Sequence, residues 1–184
     1  AQCDWVARKQ NLLITGPCGS GKTYLACAVG HAACLRDYRV RYFRLSRLFL
    51  ELTQAKADGS YSKLLRQLAR VDVLLLDDWN RADTRFIQAC MELVDRQTYI
   101  SWTLPKDWHI ILTANPDNGD YMVNSTDPAQ KTRYITANLK FNIDVWARWA
   151  EENNMDTRCI NFLLMHPELV TQETNARSIS TFFN

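Results

Sequence analysis

Gly16-Pro17-Cys18-Gly19-Ser20-Gly21-Lys22-Thr23 fills every fixed position of the pattern G-x-x-x-x-G-K-[ST]. Glycines at these places let the backbone wrap tightly, so that successive N–H groups point inward at phosphate oxygens. A helix starting at the end of the loop adds the positive end of its dipole. In such a cradle the Lys22 ammonium reaches the β- and γ-phosphates of a nucleotide, and the Thr23 hydroxyl is placed to ligate Mg²⁺. The metal also needs a carboxylate on a neighbouring strand, and Asp77-Asp78 closes the apolar run 73–76. Asp77 is the candidate metal-side residue of this Walker B element. Asp78 stands where many P-loop ATPases carry a glutamate that orients the attacking water, and it is one methylene shorter. A third polar group, Asn115, follows the apolar run 110–114 and precedes Pro116. At a strand tip beside the nucleotide it can place the lytic water or sense the γ-phosphate, whereas by itself an Asn-Pro pair marks only a turn. Cys18 lies inside the loop and reads either as a redox-sensitive thiol or as a tolerated small residue.

These groups work only if strands and helices alternate around them. The run 11–15 reads as a strand leading into the loop, and 23–35 as a helix with Leu25, Val29, Ala32 and Ala33 on its apolar face. Residues 40–45 alternate as a strand, and Ser46 is the expected N-cap of a helix that stops near Asp58-Gly59. A short helix over 62–68 and a doubly buried strand over 71–76 follow. Then come a helix over 84–97 (Phe86, Ile87, Cys90, Met91 and Val94 inward) and a hairpin strand over 99–104, closing near Pro105-Lys106-Asp107. Next are a buried strand over 109–114, a short helix over 128–133 and a last strand within 134–141. From Asp144 the pattern is helical, with expected faces Val145, Trp146, Trp149, then Ile160, Leu163, Leu164, then Ile179 and Phe182. The expected organisation is a mostly parallel α/β core over 1–142 and a small helical lid over 143–184, read as partial because its last helix begins just as the sequence ends.

Composition sets the class. At 47% hydrophobic and 23% charged residues, the 184-residue chain has a globular balance that excludes disordered, collagenous and fibrous classes. No apolar run nears the roughly 18 residues that span a bilayer, and the first ten residues have no signal-peptide core, so a cytoplasmic protein without membrane partners is expected. The six cysteines include no C-x-x-C pair and read as buried or half-buried thiols, with no zinc pattern. The six tryptophans read as packing residues. The net charge of +2 divides into +5 over residues 1–80 and −3 over 81–184. Arg36, Arg39, Arg41, Arg44 and Arg47 concentrate the positive charge in a patch that reads as a solvated face or a phosphate-backbone contact.

With P-loop, Walker B and Asn115 in this order, the chain resembles the AAA+ ATPases. Residues 11–79 resemble IstB-type helper ATPases of bacterial transposition, through NLLITGPCGSGKTYLACAVGHAAC, VRYFRLSRL and KLLRQLARVDVLLLDDW. Residues 80–184 resemble instead the MoxR-type and dynein-related branch, through NRADTRFIQACMELVD, LPKDWHIILTANP, DPAQKTRYI and NARSISTFF. The charge division falls at the same place, so a mosaic joined at Walker B is expected. The MoxR-like branch normally carries Asp-Glu there, against Asp77-Asp78 here. The resemblance implies a sheet of order 5-1-4-3-2. It further implies that Arg133, in the segment 127–134, is an arginine finger for a neighbouring subunit. Arg177, in the segment 175–178, would be a sensor-2 contact to the γ-phosphate of its own subunit.

The expected function is an ATP- and Mg²⁺-binding AAA+ module of a homo-oligomer, hydrolysing ATP to ADP and phosphate at subunit interfaces to remodel or assemble a partner. The alternative is an ATP-gated switch with little turnover that binds double-stranded DNA or a transposase through its N-terminal half. A P-loop nucleoside kinase is a third reading that the length permits.

Overall fold

The computed structural model describes residues 3–183 apart from 97, 100, 101, 104–107, 118–121, 125–127 and 171–175, with only the backbone for a few residues such as Phe86, Cys90 and Trp102. The expected turn at 105–107, Asp127 and Asn175 lie outside the described residues. Five parallel strands form the main sheet: β1 (Asn11–Thr15), β2 (Val40–Arg44), β3 (Val73–Asp77), β6 (His109–Ala114) and β7 (Tyr134–Asn138). A separate two-stranded ribbon pairs β4 (Thr98–Tyr99) antiparallel with β5 (Trp102–Thr103), where the sequence reads 99–104 as one strand. The main order is β2-β3-β6-β1-β7. Counting only its own strands, this is 2-3-4-1-5, the expected AAA+ order read from the other edge.

Strands β3 and β6 are buried along their whole length, as their unbroken apolar runs require. Alternation sends Leu13, Leu74, Leu76, Ile110 and Leu112 to one face, and Ile14, Val73, Leu75 and Ile111 to the other. Helix α2 (Lys22–Cys34) covers the second face. On the first, α3 (Leu45–Ala57), α4 (Tyr61–Leu68) and α5 (Thr84–Arg96) supply Leu48, Leu64, Leu68 and Ile87. A short helix α1 (Asp4–Ala7), which the sequence reading missed, adds Val6 beside α2. The remaining helices are α6 (Pro128–Lys131), α7 (Ile143–Glu152), α8 (Thr157–Met165) and α9 (Ala176–Phe183). The last three share their own cluster of Trp146, Ala147, Ala150, Ile160, Leu163 and Ile179.

Several expected faces are corrected. The buried positions of α2 are Lys22, Ala26, Gly30 and Ala33, with Leu25, Val29 and Ala32 flanking. Small residues let the helix lie close to the sheet: a Cβ at Gly30 would sit 3.3 Å from Val40 Cγ1. That close approach turns Cys27 and Cys34 outward, so they are exposed, not buried; Cys18 in the loop is exposed too, Cys3 is buried and Cys159 half-buried. Val145, Trp149, Leu164 and Phe182 are exposed, because α7 turns Trp146, Ala147 and Ala150, α8 Ile160 and Leu163, and α9 Ile179 to the cluster. Trp79, Trp108 and Trp146 are buried as expected of packing residues. Helix α3 starts at Leu45 with Arg44 as its cap, so Ser46 lies inside the first turn and caps nothing. Among the described residues, no helix is long and apolar enough to cross a membrane.

Candidate nucleotide site

Register brings the candidate groups to one edge of the sheet. Thr15 pairs with Ala114 and Leu76 with Leu112, so the P-loop, Asp77-Asp78 and Asn115 all leave the C-terminal ends of adjacent parallel strands. Ligands of open parallel sheets bind at that edge, where the chain direction of the crossovers reverses.

The loop is built by close approach and by left-handed turns. A Cβ on Gly16 would stand 2.7 Å from the Leu139 carbonyl oxygen, and Gly21, with φ 85°, is the N-cap of α2. Lys22 follows as the first residue of the small-residue face of α2, which buries its side chain against the loop. Its ammonium donates to the carbonyls of Gly16 and Pro17, both at 2.8 Å. Burial pulls its pKa below the ordinary lysine value, against the opposing pull of Cys18, Asp78 and Asp77 and with the help of the Arg177 charge. Arg177 is exposed near the start of α9.

Asp77 is the hub. It is 1% exposed, and three hydroxyls from three elements converge on it. Thr23 donates to Oδ1 at 2.8 Å, Thr113 of β6 to Oδ1 at 2.6 Å, and Tyr42 of β2 to Oδ2 at 2.9 Å. Burial first, then the bond to Asp77, pushes the Tyr42 hydroxyl up to about 12. The Thr23–Asp77 pair offers oxygen ligands only, beside a lysine and a phosphate cradle, and that donor set fits Mg²⁺.

Asp78 leaves the strand in a left-handed conformation, φ 57° and ψ 40°, with its N–H donating to Thr113 Oγ1 at 2.9 Å. The buried Trp79 anchors this turn from below. Asp78 thereby lines an open cleft of about 600 Å³ shared with Arg44, Phe49, Arg81 and Asp83. Asn115 is held by Asn80, whose side chain bonds both its N–H (3.1 Å) and its carbonyl (2.8 Å). Asn80 is itself 1% exposed. Its replacement by alanine would strand two buried backbone groups, and we expect a loss of about 2–4 kcal/mol in denaturant unfolding.

Thr113, Tyr42 and Asn80 went unrecognised in the sequence. The signal for Thr113 is a hydroxyl inside an otherwise apolar doubly buried strand. For Asn80 it is an amide directly after the Walker B turn.

Arg133 is not brought to the cradle. It precedes β7 beside Asn11, the N-terminal end of β1, whereas the loop follows Thr15 at the other end. Four strand steps separate the two, roughly 13 Å. Arg133 ion-pairs with Asp95 at the end of α5. Lys22, Thr23, Asp77, Asp78 and Asn115 thus gather at one edge, and Arg133 stands at the opposite edge.

Comparison with known proteins accords with this geometry. Over 82 residues the chain is 52% identical to the ATP-binding protein of insertion sequence IS1162 from Pseudomonas fluorescens, covering 45% of this chain and 36% of that protein. Over 130 residues it is 41% identical to an insertion-sequence ATP-binding protein of Sinorhizobium fredii, covering 66% and 52%. These matches span from about a third to about half of the relatives' own lengths. The fold resembles AMPPCP-bound DnaA from Aquifex aeolicus, with a TM-score of 0.70 at 20% identity over 97% of this chain and 56% of that one. A family model described as IstB-like ATP binding protein matches residues 1–115. That match crosses residue 80 and takes in Asn80, Thr113 and Asn115, so the join expected at Walker B is corrected, and the MoxR-like reading of the second half gains no support. The chain belongs to the family of IstB-like ATP-binding proteins.

Proposed function

We propose that the chain binds ATP with Mg²⁺ and hydrolyses it to ADP and phosphate at an interface between copies, driving assembly or remodelling of a partner on DNA. The observation that carries this reading is the convergence of Thr23 on Asp77 beside Lys22, at the sheet edge where Asn115 also emerges. The loop N–H groups and Lys22 hold the β- and γ-phosphates and offset charge that builds on their oxygens. Mg²⁺, held by Thr23 and through water by Asp77, would supply further charge neutralisation between those phosphates. Asp78 and Asn115 place a water in line with the γ-phosphorus; its oxygen forms the new P–O bond as the bond to the β-phosphate breaks. Arg177 contacts the γ-phosphate from a lid formed by residues 143–184, and Arg133 completes a neighbour's site.

The test is ATP turnover per subunit, with and without Mg²⁺, across a wide range of protein concentration. Turnover that rises with concentration is expected, because each site needs a second copy. Turnover independent of concentration would remove the neighbour from the mechanism.

A second reading is an ATP-gated switch on double-stranded DNA or a transposase. Its support is Arg36, Arg44 and Arg47, which are exposed at the β2 end of the sheet. Of that basic segment, Arg47 also pairs with Glu51 at 3.7 Å, Arg39 is bonded twice to Asp72, and Arg41 lies 4.9 Å over the Phe43 ring. Near-zero turnover at every concentration, with nucleotide still bound, would favour this switch.

A further inference from the structure

We infer that Tyr42 is a positioning residue for the metal-side carboxylate, its hydroxyl fixing Asp77 Oδ2 so that Oδ1 stays turned to Thr23. The inference rests on the proposed binding of Mg²⁺ at Thr23 and Asp77 and names a residue that neither the P-loop nor the Walker B pattern contains.

Strands β2 and β3 run parallel, with Tyr42 paired to Leu75 and Arg44 to Asp77. Side chains two apart share a face, so Tyr42 lies on the same side of the sheet as Leu75 and Asp77, the side that α2 covers. From one pleat upstream its ring runs along the sheet and sets its hydroxyl 2.9 Å from Oδ2. The other oxygen is already taken by Thr23 and Thr113, both on Oδ1. A carboxylate gripped only at Oδ1 can still turn about its Cβ–Cγ bond. A donor on Oδ2 stops that rotation and fixes which lone pairs face the cradle.

Packing does not account for the residue. Tyr42 is 43% exposed on an edge strand, so its ring buries less than the neighbouring Phe43, which is 6% exposed. What the site gains from Tyr42 is the hydroxyl at the end of that ring, aimed at a carboxylate that is 1% exposed. Outer partners that orient a metal ligand typically change metal affinity by about 10–100-fold when removed. Because Asp77 would act through water, the lower end applies.

Tyr42→Phe removes the hydroxyl and keeps the ring. The experiment follows a fluorescent ADP analogue binding to the whole chain, first in EDTA and then as Mg²⁺ is titrated, together with the thermal midpoint in EDTA. The expected result is unchanged affinity in EDTA and a Mg²⁺ midpoint about 10-fold higher than in the wild type. An unmoved Mg²⁺ midpoint overturns the inference, including the case where the thermal midpoint falls and the hydroxyl is merely structural. Tyr42→Trp, which keeps an aromatic at the edge and offers a differently placed N–H, should also raise the midpoint; a wild-type response there overturns the inference independently of how Tyr42→Phe folds. A wild-type protein that binds nucleotide but ignores Mg²⁺ overturns the metal reading itself, a result told apart by needing no variant.

Discussion

Replacing Lys22 with alanine should weaken binding of ATP by roughly 100-fold, since charge-assisted bonds to phosphate contribute about 1.5–3 kcal/mol. The structure says why so large an effect need not come with unfolding. The Lys22 ammonium is buried and bonded to two loop carbonyls, Gly16 and Pro17, and among the described residues no carboxylate joins them. Removing it lifts the desolvation cost of a buried charge, which offsets the loss of a donor to the Gly16 and Pro17 carbonyls, while the left-handed Gly19 and Gly21 keep the turn of the loop. The same burial sets a pH dependence. The native pKa of Lys22 lies below the ordinary value of 10.5, so between the two values the unfolded chain holds more protons than the native one. The ligand-free protein is therefore stabilised as pH rises through that window. Nucleotide affinity must move the other way, falling as pH passes the lowered value, because phosphate binding uses the ammonium. Denaturant unfolding of the ligand-free protein checks the first sign and isothermal titration with nucleotide the second, both across the alkaline range, and affinity in the alanine variant should lose this dependence.

What was legible in the sequence was whatever local covalent pattern dictates. The glycines of the P-loop specify a turn that few other residues can make, and two doubly buried strands announce themselves as unbroken apolar runs. From those, the places of Lys22, Thr23, Asp77 and Asn115 follow. Faces of helices were less legible, for a specific reason. The α2 pattern offers Leu25, Val29, Ala32 and Ala33 as the apolar stripe; Ala33 is buried, yet the sheet otherwise selects Ala26 and Gly30, because closeness of approach outweighs side-chain size there. Contacts between distant segments were not legible at all. Tyr42, Thr113 and Asn80 are each separated from their partners by about 35 residues, and only register brings them together. An apparent change of family at residue 80 has a similar origin. Short segments after residue 80 resemble more than one branch of the fold, and only a match over the whole stretch 1–115 carries the family across that point.

Arg133→Ala should leave nucleotide affinity unchanged and lower turnover by about 1000-fold, the lower end of what an arginine supplied to a phosphoryl-transfer site contributes. The topology makes the two halves of this expectation inseparable. Because β7 runs parallel to β1, the residue before Tyr134 stands at the entry of the sheet, and the phosphate cradle stands at its exit. No side-chain rotation carries a guanidinium across the length of β1 to its own P-loop, so any catalytic contact is with another copy. Asp95 holds Arg133 at that outer edge, half-exposed and oriented, which limits the conformational freedom lost when a neighbour docks. A head-to-tail contact of this kind joins two different surfaces of identical subunits, and therefore predicts complementation. The Lys22→Ala protein cannot hold ATP but still offers Arg133; the Arg133→Ala protein holds ATP and lacks only the finger. Each alone should be nearly inactive. Mixed in equal amounts they should recover turnover at about a quarter of the sites, those where an Arg133→Ala subunit faces a Lys22→Ala neighbour. An unchanged sum of two inactive proteins would place the finger elsewhere, and normal turnover by the Arg133→Ala protein alone would remove it from the chemistry.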